Sequence, residues 1–163
     1  MRKFFIVLLS FITMSSPAAR RYTMRLIDDG TMLFFFPCKL VPAEKGHSFV
    51  YDITYNTARD SVIVNMTYTA LDSDIHSVRL KAGSVSYESL DFHVFYRERK
   101  MKSIATRINV CCPKDIIEGL FQSEEPLIFE VESNKGDISH FSYKKSKWQK
   151  EKACVLEAIQ LAK

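Results

Sequence analysis

Two neighbouring runs of alternating apolar and polar residues constrain the fold more than any other feature of this sequence. Every second residue is aromatic or aliphatic from position 49 to 55 and again from 62 to 68, with a short polar loop between the runs. The alternating apolar set is Phe49, Tyr51, Ile53, Tyr55, Val62, Val64, Met66 and Tyr68. A period of two in residues that favour strands predicts an antiparallel hairpin with one buried face.

The rest of the chain predicts further strands and a second hairpin. An unbroken apolar run at 31–36, stopped by Pro37, predicts a strand covered on both faces. Strands are also predicted at 75–80, 84–87, 90–97 and 103–111, and a hairpin at 127–143 turning at 133–136. In the strand at 90–97 the residues predicted to face inward are Leu90, Phe92, Val94 and Tyr96.

Two helices complete the predicted secondary structure. A short one begins at Pro113 and should bury Ile116, Ile117, Leu120 and Phe121. The last begins at Ser146, which forms a capping-box pattern with Gln149. Its predicted apolar stripe consists of Trp148, Cys154, Val155, Ala158, Ile159, Leu161 and Ala162.

This order of elements predicts the fold class. Strands followed by a short helix, a hairpin and a terminal helix indicate an α+β domain, an antiparallel sheet with both helices packed on it. A β-sandwich with peripheral helices is the alternative. Few glycines and prolines interrupt the chain, so residues 20–163 are predicted to form a single domain.

The N-terminus has the three parts of an export signal. Arg2 and Lys3 precede an apolar stretch at 4–14, and small residues follow at 15–19. The stretch is too short for a spanning helix, which needs about 20 apolar residues. We therefore expect a cleavable signal peptide at 1–19, a secreted or periplasmic protein, and no stable membrane anchor after cleavage.

Export makes disulfides a reasonable expectation for the cysteines. Cys38, Cys111, Cys112 and Cys154 all follow the predicted signal, and an even count permits two bridges. Adjacent Cys111 and Cys112 should point to opposite faces of a strand, so neither is expected to pair with the other. The alternative is that the cysteines are buried as small apolar residues.

Charge and motifs exclude several classes of function. The formal charge of +4 falls to about +2 without the signal peptide, so a general attraction to nucleic acid is not indicated. The sequence carries no metal, phosphate-loop, dinucleotide or serine-hydrolase motif, and it predicts no cofactor and no metal. Asp91 and His93 could share a strand face as an acid–base pair, although a solvated strand face gives the same pattern.

A basic stretch beside aromatic residues is the strongest candidate binding site. Tyr143, Lys144, Lys145, Lys147 and Trp148 stand together at the start of the last helix, and Lys150 and Lys152 follow. Lysines at a helix N-terminus oppose the helix dipole, so they do not serve to stabilise the helix. The segment 144–152 is therefore a candidate polyanion site.

Residues 51–56, 60–62 and 65–68, with the closing strand–turn–strand–helix, resemble small exported proteins of Bacteroidetes-type bacteria. The resemblance implies a periplasmic or secreted setting and no known activity. The leading interpretation is an exported, non-catalytic module that binds a protein, a peptide or a cell-envelope component. The alternatives are an extracytoplasmic hydrolase and a polyanion-binding protein.

Overall fold

A computed structural model describes residues 21–71 and 74–163 of the chain. The predicted signal peptide lies outside these residues. The strands in chain order are β1 (Tyr22–Ile27), β2 (Gly30–Phe35), β3 (Cys38–Lys39), β4 (Val41–Pro42), β5 (Ser48–Asn56), β6 (Ser61–Ala70), β7 (Ile75–Ala82), β8 (Val85–Ser89), β9 (His93–Lys100), β10 (Ser103–Pro113), β11 (Ile128–Ser133) and β12 (Ile138–Ser142). The helices are α1 (Lys114–Gln122) and α2 (Lys145–Ala162).

The strands form two antiparallel sheets. The larger has the order β1-β2-β5-β6-β10-β9, with the short β3 added on β5. The smaller has the order β4-β12-β11-β7-β8. In the larger sheet β5 pairs with β6 so that Phe49 lies opposite Tyr68 and Tyr55 lies opposite Val62. The predicted hairpin is therefore confirmed, and its alternating apolar residues are all buried.

Aromatic rings join the two sheets across the core. The ring of Phe49 in the larger sheet lies 4.9 Å from that of Phe129 and 4.8 Å from that of Phe141, both in the smaller sheet. Tyr51 also contacts Phe129, at 4.8 Å between ring centroids. These separations are within the range at which aromatic pairs attract beyond simple burial. The apolar face of β5 is therefore covered by a second layer.

The two helices pack against each other and against both sheets. Helix α1 contacts β8 and β10, and α2 contacts β2 and α1. Helix α1 follows Pro113 and buries Ile117, Leu120 and Phe121, as the sequence predicted, whereas Ile116 is only half-buried. Trp148 of α2 stacks on Phe121 with ring centroids 5.5 Å apart. Within the ranges that the structure describes, no helix is both long and apolar enough to cross a bilayer.

The start of α2 differs from the prediction. The backbone N–H groups of Lys147 and Trp148 both donate to the carbonyl of Lys144, so helical hydrogen bonding begins before Ser146. Since Ser146 already lies within the first turn, it does not cap the helix, and the capping box with Gln149 is absent. At the other end of the predicted stripe Leu161 is exposed.

Two strand predictions were wrong about burial. Strand β9 begins at His93, and Leu90 and Tyr96, predicted to face inward, are exposed. Leu90 precedes the strand, and a β-bulge at Phe95 places Tyr96 opposite Arg107 and not opposite the buried Ile108. In β2, Leu33 and Phe35 are buried while Met32 and Phe34 are only half-buried, because one face alone looks into the core.

The disulfides that the sequence left possible are not formed. Cys38, Cys111, Cys112 and Cys154 are all free, and no two of them lie at disulfide distance. Cys111 and Cys112 do lie on opposite sides of β10, one exposed and one buried. The other two are on β3 and α2, and each cysteine therefore has a separate environment.

Candidate functional site

A cavity of about 350 Å³ opens beside the start of α2. Its residues come from three distant parts of the chain: the residue before β1, the connection between β2 and β3, and the segment around the start of α2. The lining residues are Arg21, Phe36, Pro37, Cys38, Lys39, Tyr143, Lys147 and Glu151. This volume lies at the lower end of the range for small-molecule sites.

Local backbone geometry brings the first two parts together. Pro37 ends the β2 run, and the chain then re-enters the sheet as β3, which pairs with β5. In this pairing Cys38 lies opposite Tyr51, so their side chains share a face. The N–H of Phe36 donates to the carbonyl of Arg21 at 2.7 Å, which fixes Arg21 beside the same connection.

The tyrosine that lines the cavity, Tyr143, is hydrogen-bonded through its hydroxyl to that of a second, buried tyrosine, Tyr51. Cys38 lines the same cavity as Tyr143. Burial raises the pKa of both tyrosines well above its ordinary value. Both hydroxyls therefore stay protonated at neutral pH and act as neutral hydrogen-bonding groups.

Charged groups surround the cavity. The buried carboxylate of Glu151 forms an ion pair with the half-exposed guanidinium of Arg21. Lys39 and Lys147 are exposed and add two ammonium groups. Glu151 offsets one of these three positive charges, so the cavity keeps a surplus of positive charge. Such an arrangement favours a ligand that carries an anionic group.

The structure separates the residues of the predicted basic site. Tyr143 and Lys147 line the cavity, whereas Lys144 and Lys145 are exposed on the first turn of α2 outside the set of lining residues. Trp148 is fully buried between Phe121 and Tyr143, with both ring pairs at 5.5 Å. Its ring is therefore not available for stacking against a ligand at the surface.

Glu151 is a residue of the site that the sequence analysis missed although the sequence carried a local signal for it. It received no role there, but it is buried. Glu151 lies three residues after Trp148 and four before Val155, which places it inside the apolar stripe of the helix. A charged residue in a buried stripe requires a partner of opposite charge, so the position of Glu151 could have indicated a buried ion pair.

The residues considered for hydrolysis do not converge. His93 is paired with Asn109 on the outer face of the larger sheet. His140 is exposed on the smaller sheet, where its Nδ1 lies 3.6 Å from the Glu130 carboxylate. The part of the chain that the structure describes contains no group of three or more histidine, cysteine or acidic side chains placed to hold a metal ion.

A different histidine does contact a serine. His47 Nδ1 lies 3.0 Å from Ser139 Oγ, and the Tyr68 hydroxyl lies 3.3 Å from the same oxygen. Ser139 is 5% exposed, so a substrate has little access to its hydroxyl. The cluster satisfies the hydrogen bonding of buried polar groups near the sheet interface, which is a structural role.

Comparison of the chain with protein-family models, with curated proteins and with solved structures finds no match.

Proposed function

We propose that this protein is a non-catalytic binding module whose ligand places an anionic group in the cavity beside α2. The observation that carries the proposal is the arrangement of Arg21, Lys39 and Lys147 around one opening, with a single carboxylate among them. A carboxylate, phosphate or sulfate group would meet two ammonium groups there, and an apolar part of the ligand would lie against Phe36 and Pro37.

Neutral hydrogen-bonding groups support binding over catalysis. The raised pKa of Tyr143 keeps its hydroxyl from serving as a base near neutral pH, and the same applies to Tyr51. The Tyr143 hydroxyl and the Cys38 thiol, which line the cavity, can instead orient a bound group through hydrogen bonds. The polyanion reading of segment 144–152 becomes, in this proposal, the binding of one anionic group in which only Lys147 of that segment takes part.

The proposal includes an exported setting, secreted or periplasmic, and a β-sandwich with two peripheral helices as the architecture. The three-part N-terminus supports export, and the ring contacts of Phe49 with Phe129 and Phe141 support the sandwich. The resemblance to exported Bacteroidetes-type proteins stays a prediction. Fractionation with N-terminal sequencing tests export: a chain beginning near residue 20 outside the cytoplasm supports it, and an intact cytoplasmic chain contradicts it.

Titration with simple anions tests the cavity directly. Inorganic phosphate, sulfate and citrate are added at constant ionic strength while amide chemical shifts are followed by NMR. We expect saturable shifts around Cys38, Tyr143 and Lys147. Lys147→Ala should weaken binding by about tenfold, which is the loss expected for one charge-assisted hydrogen bond.

Lys145→Ala is the matched control, because it removes the same charge from the same helix turn outside the cavity. We expect it to change the affinity by less than about twofold, as is usual for an exposed charge. An equal loss in both variants would mean that the anions respond to the general charge of the helix start. Linear, non-saturating shifts in the unmodified protein would also contradict the proposal.

A further inference from the structure

Strand β9 is a long edge with an exposed backbone side. It is the last strand of the larger sheet and, among residues 21–71 and 74–163, pairs only with β10. A β-bulge at Phe95 interrupts the pairing, and from Tyr96 to Lys100 one side of the backbone has no strand partner in the described part of the chain. An edge of this kind presents N–H and C=O groups in the spacing that an added strand requires.

The hairpin turn identifies which residues present those groups. Lys100 lies opposite Ser103, and the chain reverses through Met101 and Lys102, with Met101 at φ 55°. In a two-residue hairpin loop the pair that closes the loop exchanges backbone hydrogen bonds, and the next pair does not. The N–H and C=O of Arg99, and by alternation those of Arg97, therefore point to the open edge.

Apolar side chains along this edge are exposed. Phe95 is 50% exposed and Tyr96 is 45% exposed, and Met101 at the tip of the hairpin is 95% exposed. Exposed aromatic residues on a strand with a free edge are the kind of surface that a partner covers.

Charge determines the type of partner. The hairpin carries four positive charges near its turn and a single carboxylate, that of Glu98, which lies 3.6 Å from Lys100. The positively charged residues are Arg97, Arg99, Lys100 and Lys102. Asp74 offsets part of the charge of Arg97, at 3.1 Å. A second copy of the chain added at this edge would place arginines beside arginines, and like charges across strands are destabilising.

We propose that β9 binds an extended acidic segment of a partner protein as an additional strand of the larger sheet. The backbone of the segment would pair with Arg97 and Arg99, its carboxylates would lie beside the two guanidinium groups, and its apolar residues would cover Phe95 and Tyr96. This interaction surface is separate from the cavity, so Lys147→Ala should leave it unchanged.

A labelled ten-residue peptide of alternating glutamate and valine tests the proposal, with binding followed by fluorescence anisotropy. Arg99→Ala removes only the charge and should weaken binding by about two- to fivefold, the effect of an exposed ion pair. Arg99→Pro also removes the edge N–H and should weaken binding at least about fivefold further. Arg25→Ala, on the opposite edge strand β1, is the control and should change affinity by less than about twofold.

Hydrogen exchange in the unmodified protein keeps the test valid if Arg99→Pro fails to fold. The amides of Arg97 and Arg99 should exchange markedly more slowly when the peptide is bound. Unchanged exchange at both amides would overturn the proposal. Equal losses of affinity for Arg99→Ala and Arg99→Pro would also overturn it, because they would show attraction by charge alone. The same conclusion would follow if single-stranded DNA, heparin or vesicles containing phosphatidylglycerol displaced the labelled peptide as well as the unlabelled peptide does.

Discussion

Hairpins β5–β6 and β9–β10 look alike in sequence but lie in different environments. An apolar residue stands at every second position from Phe49 to Tyr55 in β5, and again from Leu90 to Tyr96, which leads into β9. Strand β5 is internal in its sheet and is covered by the smaller sheet, whereas β9 is at an edge. Alternation indicates which residues share a face only where the pairing is regular, as in β5; in β9 a bulge places Val94 and Tyr96 opposite the consecutive residues Ile108 and Arg107. Alternation does not indicate whether another layer covers that face.

The difference also separates two uses of aromatic residues. Phe49 is fully buried and fills the space between the sheets, so it contributes to stability. Phe95 is half-exposed and contacts His93 at 5.0 Å between ring centroids, at the surface of the larger sheet. A half-exposed ring such as that of Phe95 is available to a binding partner.

Truncation of these two rings should give the largest contrast. Phe49→Ala removes contacts with Phe129 and Phe141 and should lower the free energy of unfolding by about 3–5 kcal/mol. Phe95→Ala should lower it by less than about 1 kcal/mol, because much of that ring is already hydrated. Urea unfolding followed by circular dichroism measures both. Similar losses in the two variants would mean that the β9 edge is buried in solution.

The tyrosine hydroxyls should give a smaller contrast, which depends on pH. Tyr51→Phe removes the hydrogen bond to Tyr143 and should cost about 1 kcal/mol at pH 7, whereas Tyr96→Phe on β9 should cost less than about 0.5 kcal/mol. Because burial raises the pKa of Tyr51 in the folded protein, its contribution to stability is complete below pH 10, its ordinary pKa. That contribution is lost as the pH rises further, since the unfolded chain releases the proton first.

Unfolding in urea between pH 9 and 11 checks the sign. The unmodified protein should lose stability above pH 10, and Tyr51→Phe should lose less of it than Tyr96→Phe does. A steeper loss for Tyr51→Phe would contradict the assigned burial.

The smallest effect is expected at the strand that β6 and β9 share. Cys111 is exposed on the outer face of β10, while Cys112 is buried, and burial raises the pKa of Cys112 to about 12. A thiol reagent at pH 8, followed by peptide mapping, should label Cys111 in the folded protein and Cys112 only after unfolding. Cys111→Ala should change stability by less than about 0.5 kcal/mol. Equal labelling rates would show that β10 opens locally.

Local patterns were sufficient to predict parts of the fold. The β5–β6 hairpin follows from a period of two, and α1 follows from Pro113 and the spacing of Ile117, Leu120 and Phe121. The exposure of β9 could not be predicted, because sheet order depends on pairing between distant strands. The start of α2 was also wrong, because the backbone bonds to Lys144 preceded the capping residue that the sequence offered.

The cavity was predicted only in part. Tyr143 and Lys147 belonged to the candidate site, but Arg21, Cys38 and Lys39 are more than one hundred residues away along the chain. No spacing rule connects such residues, since their proximity depends on the tertiary packing of the chain. Glu151 alone carried a local signal, as a charged residue within an apolar stripe.

The position of Trp148 makes it an intrinsic fluorescence reporter of the cavity. It is the only tryptophan in the sequence, and its ring lies 5.5 Å from that of Tyr143, a residue that lines the cavity. Light emitted by this indole will respond to unfolding and also to changes at the neighbouring phenol. Ligands can therefore be screened by intrinsic fluorescence without attaching a dye.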